Sequence, residues 1–206
     1  MLHLSAMKMV ILMCFACCFF NNGTVFAAEA ALDTVRSYFD DGKVSRCYTV
    51  RKGTDVREGV AVTYHPNGKV AIEVPYQDGQ MNGVFKSYYE NGKLWQTVEY
   101  KNDVEYGLST NYFDNGQKQS VEEYVNGTLN GVSKNWDESG RLRQSFPYSN
   151  GQIHGLAKIY DENGAVKEEM TFEKGVRNGA YRRYEKGVKV FEALFEANRC
   201  VKNCDF

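Results

Sequence analysis

Residues 83–106 have the sequence GVFKSYYENGKLWQTVEYKNDVEY, and this stretch decides the fold of the chain. Two runs rich in Val, Tyr, Phe and Thr flank Asn91-Gly92, and such runs are typical of β-strands. An Asn-Gly pair between two such runs is the strongest short-range signal of a β-hairpin. The stretch therefore predicts a strand, a tight turn and a second strand, followed by a looser turn.

The same pattern recurs with a period of 24 residues. A glycine begins each copy, at Gly59, Gly83, Gly107, Gly131, Gly155 and Gly179. An aromatic residue follows five positions later, at Tyr64, Tyr88, Tyr112, Trp136, Tyr160 and Tyr184. A spacing held this strictly indicates a repeat protein in which each unit packs against its neighbours. We number each copy from its leading glycine, which is position 0.

The repeats define the domain organisation. We expect a signal peptide in residues 1–27, an N-terminal cap with a degenerate copy in 28–58, five regular copies in 59–178, and a last copy with a tail in 179–206. Only residues 27–39 have weak helical character. We therefore predict an all-β fold, an elongated antiparallel β-meander or solenoid of tandem 24-residue hairpins with roughly fourteen strands.

Composition supports a folded array of near-zero net charge. The chain has 206 residues, of which 43% are hydrophobic and 14% aromatic, so the repeats are not disordered. The formal net charge is −1, so no global field attracts nucleic acid or anionic lipid, and we expect no nucleic-acid partner.

The first 27 residues resemble a secretory signal. Lys8 provides the charged start, residues 9–20 form an unbroken apolar run, and Val25-Phe26-Ala27 suits a cleavage site. Twelve apolar residues in a helix span only ~18 Å, which is short of a ~30 Å hydrocarbon core. We therefore expect export to the periplasm, the cell envelope or the extracellular space.

Three cysteines, Cys47, Cys200 and Cys204, lie beyond the predicted signal. Cys200 and Cys204 are close in sequence, and in an oxidising compartment we expect a disulfide between them. Cys47 lies near the other end of the array, where it is either a free thiol or a buried small apolar residue. Two thiols without a nearby histidine make a poor metal site, and we expect neither a metal nor a cofactor.

The hydrophobic pattern predicts the length of the tight turn. A two-residue loop pairs position 5 with position 12, whereas a three-residue loop pairs 5 with 11 and 1 with 15. The latter gives the pairs Tyr64–Val70, Tyr88–Leu94, Trp136–Leu142, Tyr160–Val166, Val84–Val98, Val132–Phe146 and Leu156–Met170. We predict the three-residue loop because opposed aromatic and aliphatic side chains stabilise a sheet.

This register predicts one apolar face, carrying positions 1, 5, 11, 15 and 17. Position 17 supplies a second aromatic row, at Tyr76, Tyr100, Tyr124, Tyr148, Phe172 and Phe195. The opposite face, with Ser109, Ser133, Glu73, Thr97, Glu99 and Glu123, is expected to face water. An apolar face must be covered, by coiling of the sheet, by a second copy, or by a ligand or partner.

A basic line at position 3 crosses the predicted apolar face and contains Arg36, Lys86, Lys134, Lys158 and Arg182. Gln96, Ser120, Gln144 and Glu168 at position 13 are expected opposite it. Its side chains either pack over the aromatic rings with their charges in solvent, or form a groove for a partner segment or an anionic ligand. The candidate partner-binding residues are Tyr64, Tyr88, Tyr112, Trp136, Tyr160, Tyr184, Lys86, Lys134, Lys158 and Arg182.

The repeated unit G-x-x-x-x-[YW]-x-x-[NS]-G-[KR], followed by a tyrosine and a second glycine turn, resembles the MORN repeat. More narrowly it is similar to the bacterial variant described as a toxin–antitoxin system antitoxin repeat protein. The resemblance covers residues 33–195. It implies a β-hairpin array that contacts proteins or membrane lipids, and the bacterial variant implies neutralisation of a partner toxin. With a secretion signal, an immunity protein of the envelope fits this resemblance.

Enzymatic function is not expected from the sequence. Beyond the predicted signal only His65 and His154 remain, almost four copies apart, so they form neither a metal pair nor an acid–base pair. No G-x-S-x-G, P-loop or dinucleotide-binding motif occurs in a suitable context. Two hypotheses follow. The chain is either an exported scaffold that binds a protein partner such as a toxin, or a structural envelope element or binder of a membrane-lipid surface.

Overall fold

A computed structural model describes residues 31–205, and the predicted signal peptide lies outside the described residues. Eighteen strands form one antiparallel sheet in which each hairpin is followed by the next. Fourteen of them are the two long strands of seven hairpins: β1 Leu32–Tyr38, β2 Val44–Arg51, β3 Gly59–Tyr64, β4 Val70–Gln77, β6 Gly83–Tyr88, β7 Leu94–Lys101, β8 Val104–Tyr112, β9 Lys118–Val125, β11 Gly131–Trp136, β12 Leu142–Ser149, β14 Gly155–Tyr160, β15 Val166–Glu173, β16 Val176–Glu185 and β17 Val188–Glu196. The predicted all-β hairpin meander is confirmed.

Four short strands add to the fourteen predicted ones. They are β5 Gln80–Met81, β10 Thr128–Leu129, β13 Gln152–Ile153 and β18 Arg199–Lys202. The first three arise because the second connection of a copy is itself a tight turn, in which Tyr76 pairs with Met81 and Gln77 with Gln80. The weak helical prediction for residues 27–39 is wrong over Leu32–Tyr38, because pairing with β2 holds that segment as a strand.

The tight turn has the predicted three-residue loop. In the copy at 83–106 the Tyr89 amide donates to the Lys93 carbonyl at 2.8 Å, and the Gly92 amide donates to the Tyr89 carbonyl at 2.8 Å. Gly92 has φ 88°, a left-handed conformation that glycine adopts without steric cost. Tyr88 lies opposite Leu94, and the predicted pairs Tyr64–Val70, Trp136–Leu142 and Tyr160–Val166 also form.

A β-bulge then shifts the register within each regular hairpin. In the copy at 83–106 the shift lies between Ser87 and Tyr88, so that Phe85 pairs with Val98 and Val84 pairs with Glu99. The predicted pairs Val84–Val98, Val132–Phe146 and Leu156–Met170 are therefore wrong. The physical reason is one extra residue on the second strand, at position 12 of the copy. It moves every later pair by one position.

The bulge separates the predicted apolar face into two. Positions 2, 4, 13, 15 and 17 share what we call the core face, and positions 1, 3, 5, 14 and 16 share what we call the outer face. Val98, Ala157, Ala193 and Phe195 on the core face are 1–5% exposed. The position-17 aromatics lie on the core face as well, so the prediction that they share a face with Tyr88 is wrong, as is the prediction that Ser109 and Ser133 face water.

The neighbouring strands of successive hairpins pair directly. Ile72 lies opposite Ser87 and Glu73 opposite Lys86 across the boundary between two copies. The leading glycine of a copy sits where the strand bends. Gly83 has φ 114°, and a Cβ there would lie 3.2 Å from the Pro75 side chain, so only glycine fits without movement of the neighbour.

The C-terminal end of the sheet carries the disulfide between Cys200 and Cys204, whose Cα atoms are 5.8 Å apart. Cys47 is half-buried on β2 and is a free thiol. No helix long and apolar enough to cross a membrane occurs in residues 31–205.

Candidate functional site

The outer face carries three parallel rows, one residue per copy in each. The aromatic row at position 5 contains Tyr64, Tyr88, Tyr112, Trp136, Tyr160 and Tyr184, all half-buried. Neighbouring members are two strands apart, which corresponds to a spacing of ~10 Å. The structure therefore places the six predicted aromatic residues in one line on one face.

The basic residues at position 3 lie beside this row but face carboxylates. The Lys86 ammonium lies 3.7 Å from Glu73, and the Tyr88 hydroxyl donates to Glu73 at 2.9 Å. Burial of the ring and this hydrogen bond raise the pKa of Tyr88 to about 12. Glu73 is at position 14, so the residues opposite the basic line are at position 14 and not, as predicted, at position 13.

The same cluster recurs four copies later, in enlarged form. Glu169 lies 3.3 Å from Lys158 and 3.7 Å from Arg182, and the Tyr184 hydroxyl donates to it at 2.9 Å. Burial opposes ionisation of Glu169, but these partners outweigh it and lower its pKa. Arg182 also pairs with Glu192 at 2.6 Å. The basic line is thus largely neutralised within the sheet.

Lys134 differs from the other three predicted cations. It is exposed, and it forms no ion pair with any residue in the described part of the chain. The position-14 residues around it are Val121 and Ser145, which carry no charge, because β9 and β12 lack the glutamate of the two clusters. Of the four candidate binding cations of the basic line, only Lys134, near the middle of the array, is therefore uncompensated within residues 31–205.

Sequence reasoning missed an exposed aliphatic row. Position 1 holds Val60, Val84, Leu108, Val132 and Leu156, which are 37–53% exposed. The register prediction had placed these side chains in a covered apolar face. The sequence pattern that indicates the bulge lies at positions 2 and 15. There Phe85 faces Val98 and Tyr181 faces Ala193, and this apolar pairing requires the bulge.

The two histidines connect turns of successive copies. His65 Nε2 lies 2.9 Å from the Tyr88 carbonyl oxygen, and the Lys174 amide donates to His154 Nδ1 at 3.4 Å. Among residues 31–205, no group of three or more His, Cys, Asp or Glu side chains is arranged to hold a metal ion.

Comparison with known families finds a similarity for part of the repeat array. A family model described as MORN repeat variant matches residues 57–78, 81–102, 105–126 and 153–174. The copy between the last two segments, led by Gly131, has the same hairpin and the same bulge. No curated protein matches the chain. Four copies of this chain therefore match the MORN repeat variant, and the chain is built from tandem β-hairpin repeats.

Proposed function

We propose that this chain is an exported, non-enzymatic scaffold that binds a protein partner across its outer face, and that the partner is a toxin which it neutralises as an immunity protein. The observation that carries the proposal is the exposed aliphatic row on the same face as the aromatic row. Contiguous exposed apolar surface on a soluble protein marks an interaction site. Export rests on the sequence of residues 1–27, and the toxin on the resemblance to the bacterial repeat variant.

The dimensions of the outer face suit a protein–protein interface. The five aliphatic residues of the row extend over roughly 40 Å, and the strands that carry them are ~20 Å long. Such a face offers about 800 Å² to one partner, which is the usual contribution to a stable complex. Aromatic residues, which form the row at position 5 of this face, are among the residue types that contribute most to binding energy in interfaces.

The charges on the face favour protein over nucleic acid. Lys86, Lys158 and Arg182 are each within 4 Å of a carboxylate, so the face presents little net positive charge. Nucleic-acid binding depends on uncompensated Lys and Arg against phosphates. A partner that brings apolar side chains and complementary hydrogen bonds matches the surface better.

Capture by matched variants tests the proposal. The row variant carries Val84→Asp, Leu108→Asp and Val132→Asp, which put three charges into the proposed interface. The control carries Val104→Asp, Val125→Asp and Val188→Asp, which add the same charge at residues that are 41–65% exposed outside the row. Both proteins and the unmodified chain are used to isolate binding partners from the producing cells, and circular dichroism verifies their folding.

We expect one stoichiometric partner with the unmodified chain and the control, and its loss with the row variant. Purified partner should then arrest growth when expressed in the envelope, and co-expression of the unmodified chain should restore growth. Retention of the partner by the row variant contradicts the proposed surface. A partner that is harmless on its own contradicts the immunity role while leaving the scaffold role standing.

The second candidate is a structural envelope protein that binds a lipid surface, because aliphatic side chains in a row also partition into a membrane interface. In that case phosphatidylcholine–phosphatidylglycerol vesicles sediment the unmodified chain and the control, but not the row variant, and no protein partner is captured.

A further inference from the structure

A second candidate site lies on the core face, at the C-terminal end of the array. A pocket of about 330 Å³ opens there between the last two regular copies and the final hairpin. Its walls are apolar and aromatic, with Phe146, Met170, Phe172, Tyr181 and Phe195 among them. This volume is at the lower end of the range of ~300–1,000 Å³ found for small-molecule sites. The aromatic walls occupy positions 2, 15 and 17 of the core face, whereas Glu169, at position 14, lines the pocket but belongs to the outer-face cluster.

The aromatic walls contact one another edge to face. Tyr181 meets Phe195 edge-to-face with ring centroids 6.5 Å apart, and it meets Phe191 at 6.0 Å. Phe195 is 4% exposed, so its ring is part of the packed core. A pocket with such preorganised walls binds an apolar group without ordering flexible side chains first.

The lining contains three charged residues, of which only one is neutralised within the described chain. Glu169 is paired with Lys158 and Arg182, as described above. Glu168 accepts a hydrogen bond from Tyr181 and forms no ion pair among residues 31–205. Its cross-strand neighbour Arg183 is directed at Phe191 instead, with the guanidinium carbon 5.6 Å from the ring centre.

The third charged group is Arg177, which is exposed at the rim. Its guanidinium carbon lies 5.6 Å from the centre of the Phe195 ring, and it forms no ion pair with a described residue. The pocket thus combines apolar walls with one available carboxylate and one available guanidinium. A half-buried carboxylate favours a cationic hydrogen-bond donor, and a guanidinium favours a carboxylate.

The other copies show which residues stand at the positions of Glu168 and Arg177. The residues equivalent to Glu168 in the earlier regular copies are Ile72, Gln96, Ser120 and Gln144, and those equivalent to Arg177 are Arg57, Met81, Glu105, Leu129 and Ile153. Among the described copies, only the last boundary combines a carboxylate with a guanidinium around the core-face aromatics. The backbone repeat alone does not require these two residues, since the other copies fold without them.

We propose that this pocket is a binding site for a free apolar α-amino acid, with the aromatic or aliphatic side chain between the aromatic walls, the ammonium group on Glu168 and the carboxylate on Arg177. A ligand that carries both charges satisfies both residues at once. A ligand with only one charge leaves the other residue as it is in the empty pocket.

Methionine methyl NMR tests the assignment, because the described chain has one methionine in the pocket wall, Met170, and another, Met81, almost four copies away. The probes are phenylalanine, phenethylammonium and 3-phenylpropionate, which share the ring and differ in charge. We expect phenylalanine to shift the Met170 methyl signal saturably without moving that of Met81. Each singly charged probe should bind about tenfold more weakly, since a hydrogen bond to a charged group is lost.

Two variants identify the charged contacts. Glu168→Gln and Arg177→Met introduce residues that other copies carry at the same positions, so the fold should be retained, and circular dichroism verifies this. Glu168→Gln should reduce phenylalanine binding to that of 3-phenylpropionate, and Arg177→Met to that of phenethylammonium. The matched controls Glu122→Gln and Arg57→Met, at core-face sites in other copies, should bind as the unmodified chain does.

The assignment is overturned if phenylalanine causes no saturable shift at Met170, or if the three probes bind equally. An effect of only one of the two pocket variants also overturns it, since the proposed ligand requires both charges. None of these results bears on partner binding by the outer face, which is measured with different variants.

Discussion

Replacement of Val98 and Val84 by alanine, singly and together, measures which side of the hairpin each valine faces. A simple three-residue loop places the two valines opposite each other, whereas the bulge directs Val98 to the core face and Val84 to the outer face. The two variants remove the same atoms from adjacent strands, and the lower strand propensity of alanine applies to both. Any difference in stability therefore reports burial.

The expected magnitudes follow from exposure. Val98 is 5% exposed, and loss of two methyl groups at ~0.8 kcal/mol each, together with a small cavity, should cost about 2 kcal/mol. Val84 is 43% exposed, and on the same basis its replacement should cost about 0.9 kcal/mol, without a cavity. Because the two side chains lie on opposite faces, the double variant should be additive within about 0.3 kcal/mol.

Amide hydrogen exchange in strands Gly83–Tyr88 and Leu94–Lys101 is the suitable assay, since repeat arrays need not unfold in one step and exchange reports the local free energy of opening. Urea unfolding followed by circular dichroism provides the global value. Equal losses for the two single variants, or a coupling energy above about 0.5 kcal/mol in the double variant, would refute the bulged register.

Three further predictions concern ionisation and the C-terminus. The hydrogen bond from the Ser139 hydroxyl, followed by those from backbone amides, lowers the pKa of Asp137 to about 2, so this carboxylate stabilises the fold above pH 3.8 and the contribution is lost as pH falls towards 2; Asp137→Asn should flatten that part of the acid unfolding curve, and an unchanged curve contradicts the prediction. Burial, and then the bond to Glu73, raise the pKa of Tyr88 to about 12 from 10.0, so the corresponding stability is present below pH 10 and is lost as pH rises through 12. In an absorbance titration Tyr88→Phe should lack one late-ionising tyrosine, and loss of an early one instead would count against the cluster. Cys204→Ser opens the short disulfide loop and should destabilise the C-terminal strand by about 2 kcal/mol; faster exchange confined to Arg199–Lys202 is expected, and equal acceleration in the central hairpins would show that the bridge supports the whole array.

The repeat and its turns could be predicted from sequence because local chemistry determines them. Gly92 is needed for its positive φ, and Asn91 accepts the Lys93 amide with its side chain at 2.8 Å, so three adjacent residues specify the loop. The pairing of Tyr88 with Leu94 follows from the loop length alone. These interactions lie within a few residues of each other and do not depend on the rest of the sheet.

The candidate site could be predicted only in part. The aromatic row at position 5 was located correctly on one face, because it precedes the bulge. Its partners were not, because Glu73 reaches Tyr88 and Lys86 from the neighbouring copy, and Glu169 reaches Tyr184 in the same way. The identity of a cross-copy neighbour depends on how one hairpin is offset against the next.

The sequence by itself determined the period, the seven hairpins, the three-residue loop and the position of the cysteine pair at one end, since each depends on short-range spacing. Only the tertiary structure decided which residues share a face. One extra residue at position 12 shifts the pairing by one residue beyond the pair Tyr88–Leu94. Because side chains in a sheet alternate with a period of two, Val98 and Tyr100 then lie on the face opposite to Val84 and Tyr88. That reversal exposes the aliphatic row at position 1 and moves the position-17 aromatics into the core face, where the C-terminal pocket lies.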